Sequence, residues 1–462
     1  MFLRPSKYFF FAVAVIQVAV SPAQTPLLPA ALPEDVLPGL RDVLQSALRQ
    51  SPEMISHNLD LAEQEANRYQ QASREWPGVS GNFSYAANKS FLVSNANAAT
   101  SNSGFVFNVN LYQPIYHWGT IKAATDIAHL QIKISQRQYA DAYRQLAASL
   151  RAQYLSLVTQ KVQLRNVRFS LDQTKAAVAV VEDRFNRKTA TADELTNAHL
   201  QLEDVQLSID RAVEGFEYAK RMLELMAGLS DLQDEAVPEE IPPPPAYSAE
   251  TTTALLQDFI RDGVDHTFQS QVYAYKIKQS ELQYKIAKYR LYPMFDFGLG
   301  ANESNQTNAT ATSISQASVL NGNVGVGASW SIFDGFATRG AKLEALTGKR
   351  RAERDRDTYR EQTLEQARYL EQQLGFSARA LAIAEKRFEL NREGLQRAKD
   401  NFKLHTISQA DMDQATAGFY QAQSAIYSAR ADFLSQWSGY LSLLGIDPVL
   451  NNLPTSFTNH AN

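Results

Sequence analysis

Not one cysteine occurs among the 462 residues, which excludes disulfides, thiolate zinc sites, cysteine nucleophiles and an acylated N-terminal cysteine. An excess of either charge is missing too: 45 basic side chains stand against 49 acidic ones, a net charge of −4. Neutralising phosphates takes a clear basic excess, so nucleic acid is not a main partner. The seven histidines (57, 117, 129, 199, 266, 405 and 459) show no metal-ligand spacing. No histidine triad, metal cluster or phosphate-binding glycine loop accompanies the acidic pairs Asp193/Glu194 and Asp411/Asp413. These absences argue against an enzyme, and no metal or cofactor is expected.

Long apolar runs are scarce as well. Residues 8–20 form one nearly unbroken run, preceded by Arg4 and Lys7 and followed by Ser21, Pro22 and Ala23. A basic start, a short apolar core and small residues beyond it read as a signal peptide over 1–23, with an N-terminal anchor as the alternative. As a helix the run covers about 20 Å, short of the ~30 Å hydrocarbon core. The mature chain is therefore expected to be exported and to cross no membrane as a helix.

Proline is missing from two long spans, 115–237 and 294–447, where very long helices can form. Between them lies a proline-rich linker at 237–252, with Pro242, Pro243, Pro244 and Pro245 in succession. Sliding the chain on itself reveals a tandem duplication. Pro77 matches Pro293 and Gly119 matches Gly335 at an offset of 216. Asp183, Phe185, Ala198, Ile209 and Gly228 match Asp400, Phe402, Ala415, Ile426 and Gly445 at 217. The expected units are repeats at 24–236 and 253–447 with a tail at 448–462. Each repeat carries heptads: Leu150, Leu157, Leu164, Leu171, Val178 and Phe185, then Leu195, Leu202, Ile209, Phe216 and Leu223 in the first. A sustained seven-residue period predicts left-handed coiled coils, and a helix over 120–188 would reach about 100 Å.

Four segments change period from seven to two. Phe83 and Tyr85, then Phe105, Phe107 and Val109, alternate with Asn82, Ser84, Asn108 and Asn110. In the second repeat Phe295 and Phe297, then Val324, Val326 and Trp330, alternate with polar or tiny residues. Strands are expected near 79–88, 104–113, 294–302 and 323–333, with polar inserts at 89–103 and 303–322 as long soluble loops. Trp76, Tyr112, Tyr116, Trp118, Tyr292 and Trp330 cluster where strands meet helices, as an interfacial girdle would. The ten apolar residues just named from Phe83 to Trp330 are the candidate lipid-facing side chains of a membrane barrel. Four strands cannot close one, because an open edge in lipid leaves backbone groups unpaired. Several copies must contribute, and three would give twelve strands around a lumen. The fold class is α + transmembrane β-barrel, with long coiled-coil helices.

In outline this plan resembles the TolC-type outer membrane factors of Gram-negative bacteria, over residues 40–446. Similar stretches are LQSALRQSP at 44–52, EWP at 75–77, FDGF at 333–336 and FKLHTISQADMDQAT at 402–416. The resemblance implies a homotrimer in outer membrane lipid, its barrel continuing into a helical periplasmic tunnel, with linker and tail as a belt. It implies a passive export duct working with a periplasmic adaptor (membrane fusion protein) and an inner membrane pump of RND, ABC or MFS type, in efflux or type I secretion. It also implies an acidic constriction at the periplasmic tip. Asp411 falls on one such position, Gln414 replaces the second with Asp413 adjacent, and Asp193 and Glu194 lie at the matching turn of the first repeat. Lys188 and His405 stand where relatives often carry glycine, and Ile407 replaces a basic residue. A periplasmic adaptor or structural rod is the alternative reading.

Overall fold

The computed structural model describes residues 32–92, 95–310 and 313–453; the predicted signal peptide and residues 454–462 of the tail lie outside these. The chain opens with α1 (Pro33–Val36), α2 (Pro38–Gln50) and α3 (Pro52–Ala72). A hairpin of β1 (Gly78–Leu92) and β2 (Asn95–Tyr116) follows, then α4 (Thr120–Asn186) and α5 (Ala192–Ala227). Beyond the linker come α6 (Ala249–Asp258), a π-helical turn, α7 (Val264–His266) and α8 (Phe268–Tyr289). The second hairpin is β3 (Met294–Ala309) and β4 (Ile314–Ser329), followed by α9 (Ala337–Lys403) and α10 (Gln409–Leu444).

The duplication is visible in the element lengths. Helices α4 and α9 both have 67 residues, and α5 and α10 both have 36. At 1.5 Å per residue the longer pair extends about 100 Å. Both are entered through two left-handed residues, Trp118–Gly119 (φ 55° and 72°) and Gly335–Phe336 (φ 62° and 70°). The offset here is 217, so Gly119 is the mate of Phe336; the match to Gly335 expected at 216 is off by one residue. Both helices also leave through a left-handed residue, Lys188 (φ 60°) and His405 (φ 56°). Each closes a Schellman turn, Thr189 N–H reaching Arg184 C=O at 2.8 Å and Thr406 N–H reaching Asn401 C=O at 3.0 Å. Thr191 and Ser408 then cap the returning helices.

The strands run further than their composition suggests. Nearly all of the polar inserts expected as loops is strand: β1 and β2 pair from Gly78↔Tyr112 out to Leu92↔Asn95, and β3 and β4 from Met294↔Ser329 to Ala309↔Ile314. The reason is the register itself, since backbone ladders continue through Asn, Ser and Thr when the partner strand is already aligned. All four strands form one antiparallel sheet in the order β1-β2-β3-β4.

Helix α4 packs against α3, α5, α8 and α10, and α9 against α8 and α10. The predicted heptad residues Leu150, Leu157 and Leu164 are buried in the larger core, together with Leu434, Ile426 and Tyr427 of α10. The linker is bound to this core. Lys161 Nζ donates to the carbonyls of Asp234 and Val237 (2.8 and 2.7 Å), and Arg430 donates to that of Ile241 (2.7 Å). Both ends of the described chain meet on Arg151, which is fully buried. Its guanidinium holds Glu34 of α1 (Nε to Oε2, 2.9 Å) and Asp447 beyond α10 (Nη2 to Oδ1, 3.0 Å). Burial alone would lower the Arg151 pKa, but the hydrogen bonds it donates to Asp447 and Glu34 outweigh it and raise it.

Candidate functional site: sheet faces and helix tips

Side chains alternate across a sheet, so register decides which residues share a face. Phe83↔Phe107↔Glu303↔Leu320 is one row, and Tyr85↔Phe105↔Asn305↔Ser318 the next. Leu111↔Leu299↔Val324 and Phe297↔Val326 continue the same face toward the helices, with Val109 and Phe295 on it as well. Nine of the ten apolar candidates thus lie on one face. Phe83, Tyr85, Phe107, Val324 and Val326 are exposed there in the single chain. Trp330 lies just past the end of β4, and its indole N–H donates to the carbonyl of Leu291 at 2.9 Å.

The opposite face is polar. Asn82, Asn108, Asn302 and Asn321 fall in one row across all four strands, and Asn302 Nδ2 donates to Asn108 Oδ1. Below it run Ser80, Asn110, Gly300 and Asn323, where a Cβ on Gly300 would meet the Asn323 amide at 2.6 Å. Tyr112 belongs to this face and not to the aromatic girdle expected of it. It pairs with Gly78 and Gly298, and its hydroxyl donates to Asp296 at 2.6 Å. His117 Nε2 meets the same carboxylate oxygen at 2.6 Å.

An aromatic group does form where sheet meets helices. Trp118 stacks on Tyr289 (centroids 6.0 Å, interplanar 9°), touches Tyr116 and Tyr292, and donates its indole N–H to Pro293 C=O at 2.8 Å. The left-handed backbone at Trp118 is what turns this ring back onto α8. Sequence reasoning placed Trp118 in the girdle but missed Tyr289, whose only signal is its spacing from Tyr292.

At the far end of the molecule, Asp193 and Glu194 lie in the first turn of α5, and Asp411 and Asp413 at the start of α10. The Phe169–Tyr420 ring contact lays the first turns of α10 beside the last turns of α4, so both acidic turns are at the same tip. Asp411 closes a capping box with Ser408: its Oδ2 accepts from the Ser408 amide (3.0 Å) and hydroxyl (2.7 Å). The Ser408 hydroxyl first, and its amide second, hold the Asp411 carboxyl below the usual carboxylate range. Asp413 accepts from the Gln409 amide at 2.8 Å, and Glu194 meets Arg184 at 3.4 Å. Asp193 is exposed.

No helix among the described residues is long and apolar enough to cross a membrane. A four-stranded sheet with one largely apolar face, carried on two long helical hairpins, defines a class: duplicated, mostly helical proteins with a small antiparallel sheet. The family model for outer membrane efflux proteins matches residues 43–228 and 270–445, and the chain belongs to that family. Solved structures of the same fold include the Campylobacter jejuni CmeC outer membrane channel, at 15% identity and TM-score 0.64, with 88% of this chain and 86% of that one covered. The Vibrio cholerae outer membrane protein VceC is 18% identical with a TM-score of 0.59, covering 88% of this chain and 96% of that one. The open state of the Neisseria gonorrhoeae MtrE channel is 14% identical with a TM-score of 0.60, covering 88% and 89%. No curated protein matches the chain significantly. The protein is an efflux component of the outer membrane that extends into the periplasm.

Proposed function

We propose that three copies of this chain close a twelve-stranded barrel and form the passive exit duct of a tripartite assembly, fed by an inner membrane pump through a periplasmic adaptor. The observation that carries this is the sheet: four strands in one antiparallel order with a largely apolar face, broken at Glu303, Asn305 and Ser318, and two free edges, β1 and β4. An open edge in hydrocarbon leaves N–H and C=O groups unsatisfied at several kcal/mol each, so the edges require other copies. The polar face, rich in asparagine and glycine, then lines a lumen, and the apolar face from Phe83 to Val326 meets lipid.

The helices support the same assembly. Tyr369, Phe376, Ile383 and Leu390 recur every seven residues on α9 and are exposed, as are Leu200, Leu207 and Leu225 on α5. Such stripes on helices of a coiled-coil protein are seams awaiting a partner. A free rod or soluble adaptor would leave both these stripes and the sheet's apolar face in water. At the tip, three copies would gather Asp411, Asp413, Asp193 and Glu194 into an acidic aperture. Mass measurement in mild detergent tests the assembly. A homotrimer is expected, and a monodisperse monomer overturns the reading.

A further inference from the structure

The seam between the two repeats of one chain is a template for the seam between two chains. Helices α4 and α10 run antiparallel: Phe169 packs on Tyr420 with ring centroids 4.9 Å apart, and Arg165 Nη2 donates to Gln423 Oε1 at 2.6 Å. Stepping back along α4 by heptads in this register sets Val162 opposite Tyr427 and Leu155 opposite Leu434, all buried in the larger core. These heptad layers of the seam within the chain are apolar, with the Arg165–Gln423 bond beside them.

The repeat offset of 217 carries α4 onto α9 and α10 onto α5. The side of α9 that corresponds to this seam bears the exposed residues Phe376 and Ile383 and has no helix of its own chain against it among the described residues. Carried across, the layer Phe169/Tyr420 becomes Lys386/Glu203, Val162/Tyr427 becomes Arg379/Asp210, and Leu155/Leu434 becomes Gln372/Glu217. Two apolar layers have become pairs of opposite charge. Among the described residues neither Lys386 nor Arg379 has a carboxylate within ion-pair distance, and neither Glu203 nor Asp210 has a basic partner. Arg379 instead rests over its own Phe376 ring, 5.0 Å from the centroid.

We infer that copies of this chain join through α9 of one protomer and α5 of the next, in the register that sets Lys386 against Glu203 of the partner subunit and Arg379 against Asp210 of the partner subunit. This rests on the homotrimer proposed above and specifies its tunnel contact. Two charged layers one heptad apart also fix the sliding position of helices whose apolar stripes alone would tolerate a shift.

The absence of native cysteine makes the test direct. The double variant Lys386→Cys/Glu203→Cys, treated in detergent with a short bismaleimide, is expected to give covalent dimers and trimers that neither single variant gives. Arg379→Cys/Asp210→Cys should do the same, which covers the case of one pair failing to fold. In the cysteine-free background, Lys386→Glu and Glu203→Lys should each lower the temperature at which the trimer dissociates by several degrees, and their combination should restore it. A trimer by mass that neither cross-links nor recovers in the double reversal overturns this register while leaving the trimer standing. A monomer by mass overturns both.

Discussion

Arg151 is the residue on which the two ends of the chain depend. Its guanidinium is fully buried and carries Glu34 on one side and Asp447 on the other, so α1 and the residues just beyond α10 are tied to mid-α4. Removing one member of a buried ionic group leaves an uncompensated charge in low dielectric, at about 3–5 kcal/mol. Asp447→Asn is therefore expected to lose about that much, read as a lowered unfolding midpoint in detergent. Asp35→Asn, which breaks the Arg41–Asp35 pair with both side chains about half exposed, should cost no more than about 1 kcal/mol. Similar losses in the two variants would show that the triad is not what holds the ends. Nothing in the linear sequence marks this triad, because its members stand 117 and 296 residues apart and Arg151 sits next to the heptad residue Leu150.

The strands pose a different problem of legibility. Where Phe, Val and Tyr alternate with Ser, Gly and Asn, the period of two is plain, and the residues predicted to share a face do share it. Outside those stretches the signal fades. In 95–104, 303–309 and 314–322 the residues are mostly Asn, Ser, Thr, Gln, Ala and Gly, with low strand preference and only scattered apolar side chains such as Leu320, yet they are strand through pairing with a neighbour already in register. The long helices were readable because proline is absent and the heptads persist, and the first, expected over 120–188, spans Thr120–Asn186 with the left-handed turn at Lys188; the entry to α9 was not, since Phe336 adopts a left-handed backbone that usually signals glycine. The register yields a prediction at this scale. Arginine at Phe107 or Val326, on the apolar face, should cost about 2–4 kcal/mol near the bilayer midplane and reduce outer membrane yield. Arginine at Asn108 or Gly325, one residue away on the polar face, should leave yield intact and alter conductance. Equal tolerance at both sets would refute the assignment of faces.

At the scale of the proposed assembly, the tip is where helix-capping chemistry would meet transport. Asp411 uses one carboxylate oxygen, Oδ2, for the capping box, which leaves Oδ1 without a hydrogen bond among the described residues. One side chain can thus stabilise its own helix and contribute charge to an aperture, and the two roles separate experimentally. Ser408→Ala removes the cap and keeps the carboxylate; loss of an N-cap costs about 0.5–2 kcal/mol, so thermal stability should fall while ion selectivity stays. Asp411→Ala/Asp413→Ala removes the charge, and three copies of each missing carboxylate should abolish cation selectivity and block by multivalent cations. Acid provides a third route. Because Ser408 holds the Asp411 carboxyl below the usual carboxylate range, the carboxylate remains charged, and its side of the capping box intact, throughout that range. Both are lost only as pH falls through the lowered folded value, so selectivity carried by this ring should persist through mildly acidic conditions and fail at stronger acid. Planar-bilayer recordings in a salt gradient decide the matter. Reversal potentials identical between wild type and the double alanine variant would exclude these carboxylates as the selective ring and leave capping as their whole role.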